Sequence, residues 1–349
     1  MKNTYLIMPE NPSLLLYKMV KATTSNTNTI LIKNVNNLPD LRNKKIVFAV
    51  QLNNAGFNIE LSKIFTKLWN RGKDALSGST GVVLTHSHNE LFTKTSAQNI
   101  IFHANQLGCR FPGRPLVEAT GSLCNLLTMQ KVVNKPLENV CLKMCESLGK
   151  RLIKDNPKLL KNPKILVLHS SNHKTSNTLM LWDMVKKHLR GYQISEIHIE
   201  NGTVRDCIGC PYTMCKHYSK QERCFYGGIM VEEVYPAVLE ADAIIWICPN
   251  YNDAISANLT AVINRLTALF RKTKFYNKTL FGIIVSGNSG SDALAKQLIS
   301  ALNINKTFRL PPYFCIMATA NDKGAILKVP NIEEKAKAFA ENIKKEIKA

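Results

Sequence analysis

The chain has no long hydrophobic run. No apolar stretch reaches the roughly 18 residues of a membrane helix, so a helical span and a membrane partner are not expected. Nor is any tract poor enough in apolar residues to predict disorder: 45% of the 349 residues are hydrophobic and 20% charged, an ordinary globular composition. That length supports two domains with proper cores. Acidic residues are scarce, 25 against 46 basic ones, for a net charge of +21. The excess is spread over both halves as single lysines that punctuate helices. A nucleic-acid binder more often concentrates its charge in a tail or stripe with interleaved aromatics, so the pattern speaks against that partner. A solvated basic surface is expected, whose field can still steer an acidic protein or an anionic cosubstrate. The opening MKNTYLIMPENP holds an apolar run too short for a signal peptide, and a cytoplasmic location is expected.

Ten cysteines without an export signal argue for reduced thiols, metal or redox chemistry rather than a disulfide framework. Four fall between Cys207 and Cys224; Cys109, Cys124, Cys141, Cys145, Cys248 and Cys315 are scattered and read as small buried hydrophobes.

Strand and helix patterns alternate along the whole chain. In the first half, strands are expected at 5–8, 29–33, 45–50, 81–85 and 115–119, with helices at 13–21, 59–69, 96–107 and 137–153. In the second half, strands are expected at 165–168, 194–199, 243–248, 280–286 and 314–318, with helices at 178–188, 230–239, 257–270, 292–301 and 332–347. This alternation predicts α/β domains with doubly wound parallel sheets. The boundaries expected are 1–155 and 164–349, joined by the proline-bearing DNPKLLKNP. The two halves read as an internal duplication: KIVFAVQLNNAGFNIELSKIFTKL aligns with AIIWICPNYNDAISANLTAVINRL, and Gly81 and Gly282 fall at the corresponding next strands.

In an open α/β sheet, ligands bind beyond the carboxyl ends of the strands. Three such ends in the second half are polar and small. Ser170–Thr178, with Ser170, Ser171, Lys174, Ser176, Asn177 and Thr178, suits a phosphate at a helix N-terminus. Pro249, Asn250, Tyr251 and Asn252 set a ring beside amides, as needed to cover a flat molecule. Ser286, Gly287, Asn288 and Gly290 form a turn whose backbone can approach that molecule closely. Together they describe a pocket for a phosphorylated aromatic cofactor.

On these motifs the second half, about residues 164–349, resembles the NADPH-dependent FMN reductase and iron–sulfur flavoprotein group. Members have a flavodoxin-like fold and a Gly-Ser-Pro-Arg-type turn ending in Gly-Asn-Thr; here HSSNHKTSNT ends in Ser176-Asn177-Thr178, with His169 in place of the glycine. Members next show a Ser-Pro-x-Tyr-like turn and a helix beginning Ser-x-x-Leu, matched by Cys248-Pro249-Asn250-Tyr251 and Ser256-Ala257-Asn258-Leu259. The Cys-x-x-Cys loop often found between them corresponds to DCIGCPYTMC. The resemblance implies two tandem flavodoxin-like domains, the second binding FMN, with NAD(P)H as cosubstrate and a small-molecule or redox-protein acceptor. A homo-oligomer is expected.

The loop 207–224 spaces its cysteines as Cys207-x2-Cys210-x4-Cys215-x8-Cys224. Thiolates so spaced can surround a [4Fe-4S] cluster, and a ferredoxin-like partner would then be as natural a donor as nicotinamide. Zinc and metal-free thiols stay open beside it. The rival reading from another class is a non-enzymatic flavodoxin-like scaffold whose loop holds zinc and whose basic surface holds a partner. The first half reads as degenerate: Pro9 and Pro12 remove backbone N–H groups where a phosphate would need them. No FMN is expected there; its expected role is to cover the second domain or to supply a dimer surface. His86 and His88 could be ligands or proton carriers or satisfied loop residues, and Lys94, Arg110 and Arg114 could meet an anion or solvent.

Overall fold

The computed structural model describes residues 3–157, 159–171 and 176–349. The chain divides into two compact units, Met1–Asn156 and Pro157–Ala349. The first runs β1 (Asn3–Ile7), α1 (Leu14–Thr24), β2 (Asn28–Ile32), β3 (Lys45–Gln51), α2 (Ile59–Arg71), β4 (Thr80–His86), α3 (Thr93–Gln106), β5 (Leu116–Ala119), α4 (Leu127–Val133) and α5 (Leu137–Lys154). The second runs β6 (Lys164–His169), α6 (Asn177–Lys187), β7 (Gln193–His198), α7 (Tyr212–Lys220), α8 (Tyr235–Glu240), β8 (Ala243–Pro249), α9 (Ala257–Lys272), β9 (Thr279–Ser286), α10 (Ser291–Leu298), β10 (Cys315–Thr319) and α11 (Ile332–Ile347).

Each unit holds one five-stranded, all-parallel sheet, in the orders β2-β1-β3-β4-β5 and β7-β6-β8-β9-β10. This is the flavodoxin-like order, reversing between the first and third strands of each unit. Burial follows position. The central strands β4, β8 and β9 are buried at every residue, which requires the continuous apolar runs that mark them. At the edge, β2 buries only Ile32.

The cores are built alike. In the first unit Val47, Ala49, Val82 and Leu84 pack with Leu16 and Met19 of α1 and Leu148 of α5. In the second, Ile165, Val167, Ile245 and Phe281 pack with Trp182 and Val185 of α6 and Phe339 of α11. The ladders correspond residue by residue as well: Thr80 bridges Arg110 and Thr279 bridges Arg309. In both units the next amide donates to the arginine carbonyl, Gly81 to Arg110 at 2.8 Å and Leu280 to Arg309 at 2.9 Å. In this register Gly81 of β4 corresponds to Leu280 of β9, and Gly282 lies two residues further along the same strand. A Cβ on Gly81 would stand 2.7 Å from the Phe111 ring, so this glycine answers local crowding rather than a shared motif.

Several expectations need correction. Cys124 is exposed, while Cys109, Cys141, Cys145, Cys248 and Cys315 are buried. The cysteine-rich segment, expected as a loop, contains α7. The helix expected at 230–239 opens with a π-turn, Met230–Val234, ahead of Pro236, which has no N–H to give the junction. A second π-turn, Ile299–Ile304, continues α10. Among the described residues no helix is long and apolar enough to cross a membrane.

Candidate functional site

The second sheet reverses between β6 and β8, so the crevice beyond their carboxyl ends is the expected ligand position. Ser170 and Ser171 lie just past β6 and are each 5% exposed. The Ser170 hydroxyl is 2.7 Å from that of Ser256, the residue preceding α9. Ser176 donates to the Ser171 hydroxyl at 3.4 Å, which ties together the two ends of the turn. Lys174, expected in this turn, lies outside the described residues. Ser176 precedes α6 without capping it by a side-chain hydrogen bond. The Ser176 side chain therefore satisfies none of the first-turn N–H groups of α6, where the helix dipole favours an anion. Thr178, in that turn, is buried.

Asn177 does a different job from the one its motif position implies. Its side-chain amide donates to the carbonyls of Ala320 (3.1 Å) and Asp322 (2.8 Å), and its Oδ1 accepts from the Ile326 amide (3.3 Å). The side chain fastens the start of α6 to the segment after β10; only its backbone N–H remains for a ligand.

The next two loops interlock. Pro249 ends β8 buried opposite Val285. The Asn250 amide group reaches Asp253 Oδ1 (3.1 Å), Ser286 Oγ (3.0 Å) and the Ser289 carbonyl (3.0 Å), while its own Oδ1 is buried with no partner. Asn252 and Asp253 both have positive φ, 54° and 57°, the signature of a type I′ turn closed by the Tyr251–Ala254 bridge. The turn leaves Tyr251 58% exposed. Gly290 at φ +84° lies against it, and a Cβ there would stand 2.0 Å from Asp253 Oδ1. A Cβ on Gly287 would stand 2.8 Å from Asn321 Oδ1. Ser286 is fully buried and bonded to Ser291 at 2.7 Å, which makes it a strut; Asn288 is exposed.

At the β6–β7 end, His169 and His198 are register partners whose rings stack 4.7 Å apart and 10° from parallel. Burial, and then the charge of His198, push the His169 imidazole below its ordinary range.

The four clustered cysteines line one cavity of about 240 Å³ together with Arg265 and Arg271 of α9. It does not sit at the strand ends. Its α9 residues begin at Asn264, eight positions past Ser256, or about 12 Å down the helix. Helix α7 packs along α9 and carries Cys215 with it. All four are free thiols, and among the described residues no three His, Cys, Asp or Glu side chains are grouped to hold a metal ion. Cys248, by contrast, is a core thiol pushed up to about 12 by burial.

The first unit fills its own corresponding position. Ser13 caps α1 by accepting from the Leu16 amide at 3.1 Å, and its hydroxyl lies 2.9 Å from His86 Nδ1. The same Nδ1 lies 2.9 Å from Gln51 Oε1. Both partners meet one ring nitrogen, so the cluster satisfies itself instead of orienting a base toward a nucleophile. His86 is buried, which pushes its titration down, while His88 is exposed. Lys94 pairs with Glu118 at 2.9 Å.

Arg265 and Arg271 escaped the sequence reading. A signal existed: Arg265 falls three residues after Val262 and four before Leu269, on the apolar face of its helix.

The second unit is thus a parallel sheet in flavodoxin order with polar turns after β6, β8 and β9, at the end of the sheet where ligands of such folds bind. Residues 163–322 match the family model described as NADPH-dependent FMN reductase. No curated protein matches the chain. Similar solved structures include an NAD(P)H:quinone oxidoreductase from Methanothermobacter marburgensis (11% identity, 52% of this chain and 99% of that one, TM-score 0.40). Others are an azoreductase from Bacillus anthracis str. Sterne (14%, 51% and 98%, TM-score 0.38) and an NADH:FMN oxidoreductase in its apo form (15%, 54% and 91%, TM-score 0.38). The family match supports an FMN-dependent oxidoreductase role for the second unit.

Proposed function

We propose that the second unit binds FMN with its phosphate at the start of α6, and that the chain is an NAD(P)H-dependent FMN oxidoreductase serving a small-molecule or redox-protein acceptor. The observation that carries this reading is the contrast between equivalent helix starts. Ser13 spends its hydroxyl capping α1, whereas the Ser176 side chain makes no cap on α6. The residues fit the group in a second respect: the buried, unpartnered Oδ1 of Asn250 is an acceptor suited to a ring N–H. When bound, the isoalloxazine supplies the redox chemistry. Ser170, Ser171, Ser176 and Thr178 would surround the phosphate, with Asn250, Tyr251, Gly287 and Asn288 toward the ring. No side chain of this set need act as an acid or base, and their work is to bind and orient.

In the same reading Cys207, Cys210, Cys215 and Cys224 hold a cubane iron–sulfur cluster. The donor set supports this: four soft thiols line one largely apolar cavity. Full-length protein purified anaerobically tests both parts. The expected result is flavin absorbance that bleaches on adding NADPH, with about four irons and four sulfides per chain. Flavin without iron would remove the cluster and keep the reductase; protein that neither retains nor takes up FMN would overturn the whole reading.

A further inference from the structure

The strands at the edges of the two sheets are not alike. β5 and β10 are mostly buried. β7 is exposed at Gln193, Ser195 and Glu196 but carries a charge there, Glu196, paired with Lys186 of α6 at 2.6 Å. β2 is exposed at four of its five residues, Asn28 to Leu31. Ile30 is 39% and Leu31 44% exposed, on opposite faces of the strand. No charged residue, proline or glycine stands between Lys21 and Lys33. The register with β1 runs unbroken from Asn28 to Ile32, so no bulge turns the edge aside. An uncharged, regular edge of β-prone side chains is a template for another strand.

The backbone decides which strand this edge accepts. The Ile32 carbonyl accepts from the Met8 amide, just past β1, at 3.0 Å. Alternation then turns the N–H and C=O groups of Asn28, Ile30 and Ile32 toward β1, and those of Thr29 and Leu31 toward the open side. A second copy of β2, antiparallel about a two-fold axis at Ile30, satisfies all of the open groups. Thr29 of each chain exchanges both of its bonds with Leu31 of the other. Ile30 faces Ile30 in the closely spaced, non-hydrogen-bonded position, where apolar side chains pack best. Lys33 falls across from Thr27, so no two lysines oppose each other. A chain of net charge +21 repels its own copies, and this uncharged segment is where they meet at least cost. We propose that the chain dimerises through β2, joining the sheets of two first units edge to edge with Ile30 on the axis. The inference goes beyond the flavin reading and does not depend on what the second unit binds.

Sedimentation equilibrium of the full chain under reducing conditions, over a range of concentrations, tests the proposal. Wild type should show a monomer–dimer equilibrium and no larger species, as a closed two-fold contact requires. Ile30→Lys and Ile30→Glu each set two like charges face to face across the axis. Each should weaken dimerisation at least about tenfold, while circular dichroism matches that of wild type because Ile30 is exposed. Mixed in equal amounts, the two variants should form dimers again, lysine against glutamate, which neither forms alone. A merely structural role for Ile30 would not predict that rescue. Wild type that stays monomeric would overturn the proposal, as would variants that dimerise as tightly as wild type. Dimers lost in both variants and not regained on mixing would overturn it too, because Ile30 would then not face its own copy.

Discussion

The hydroxyls of Ser170 and Ser256 stand 2.7 Å apart in a buried contact, joining the end of β6 to the start of α9. They tie the residue after β6 to the start of the helix that follows β8, beside the point where the sheet reverses. Ser256→Ala leaves the Ser170 hydroxyl buried without this partner. Stability should fall by about 1–2 kcal/mol, the penalty of an orphaned hydroxyl, read as a lower urea midpoint. FMN affinity should fall as well, because Ser170 loses its anchor. Unchanged affinity with lowered stability would show that the crevice does not depend on this tie.

Asn177 offers a sharper discrimination. Its amide holds the carbonyls of Ala320 and Asp322, so Asn177→Asp removes two donors and sets a carboxylate against two carbonyl oxygens. The loss expected is about 1–3 kcal/mol in the absence of any ligand, measured by denaturation of the FMN-free protein. Were Asn177 purely a phosphate contact, the FMN-free protein would be indifferent to the change.

Two histidines predict the pH dependence. His169 and His86 are both held below their ordinary range, chiefly by burial. Below about pH 6.5 the unfolded chain takes up protons that these folded sites refuse, so stability falls as pH drops through that value and levels off above it. Urea midpoints between pH 5 and 8 should show this slope. The double variant His86→Gln/His169→Gln should flatten it; an unchanged slope would place the titration elsewhere.

Legibility in the sequence followed the physics of each feature. Strands such as Ile165–Leu168 declare themselves because burial on both sheet faces demands unbroken apolar runs. The polar turns were visible as composition, but not the division of labour inside them. Nothing local tells that Asn177 binds carbonyls more than a hundred residues away, or that the Ser286 hydroxyl joins Ser291 and Asn250. Helix α7 was missed because only Ser219 is buried along it, which leaves no apolar stripe to read. The residue-level correspondence of the two units lies in the backbone bridges of Thr80 and Thr279, which composition does not display.

The central claim is that one helix start of the two was kept for a phosphate. Anaerobic titration of the full chain with FMN, followed by quenching of flavin fluorescence, tests it most directly when run on two single variants. Wild type should saturate at one FMN per chain; Thr178→Glu, which sets a carboxylate in the first turn of α6, should weaken binding by at least about tenfold, or 1.4 kcal/mol, while Ser13→Glu at the start of α1 should leave it unchanged. Two FMN per chain, or sensitivity to Ser13→Glu with indifference to Thr178→Glu, would contradict the account.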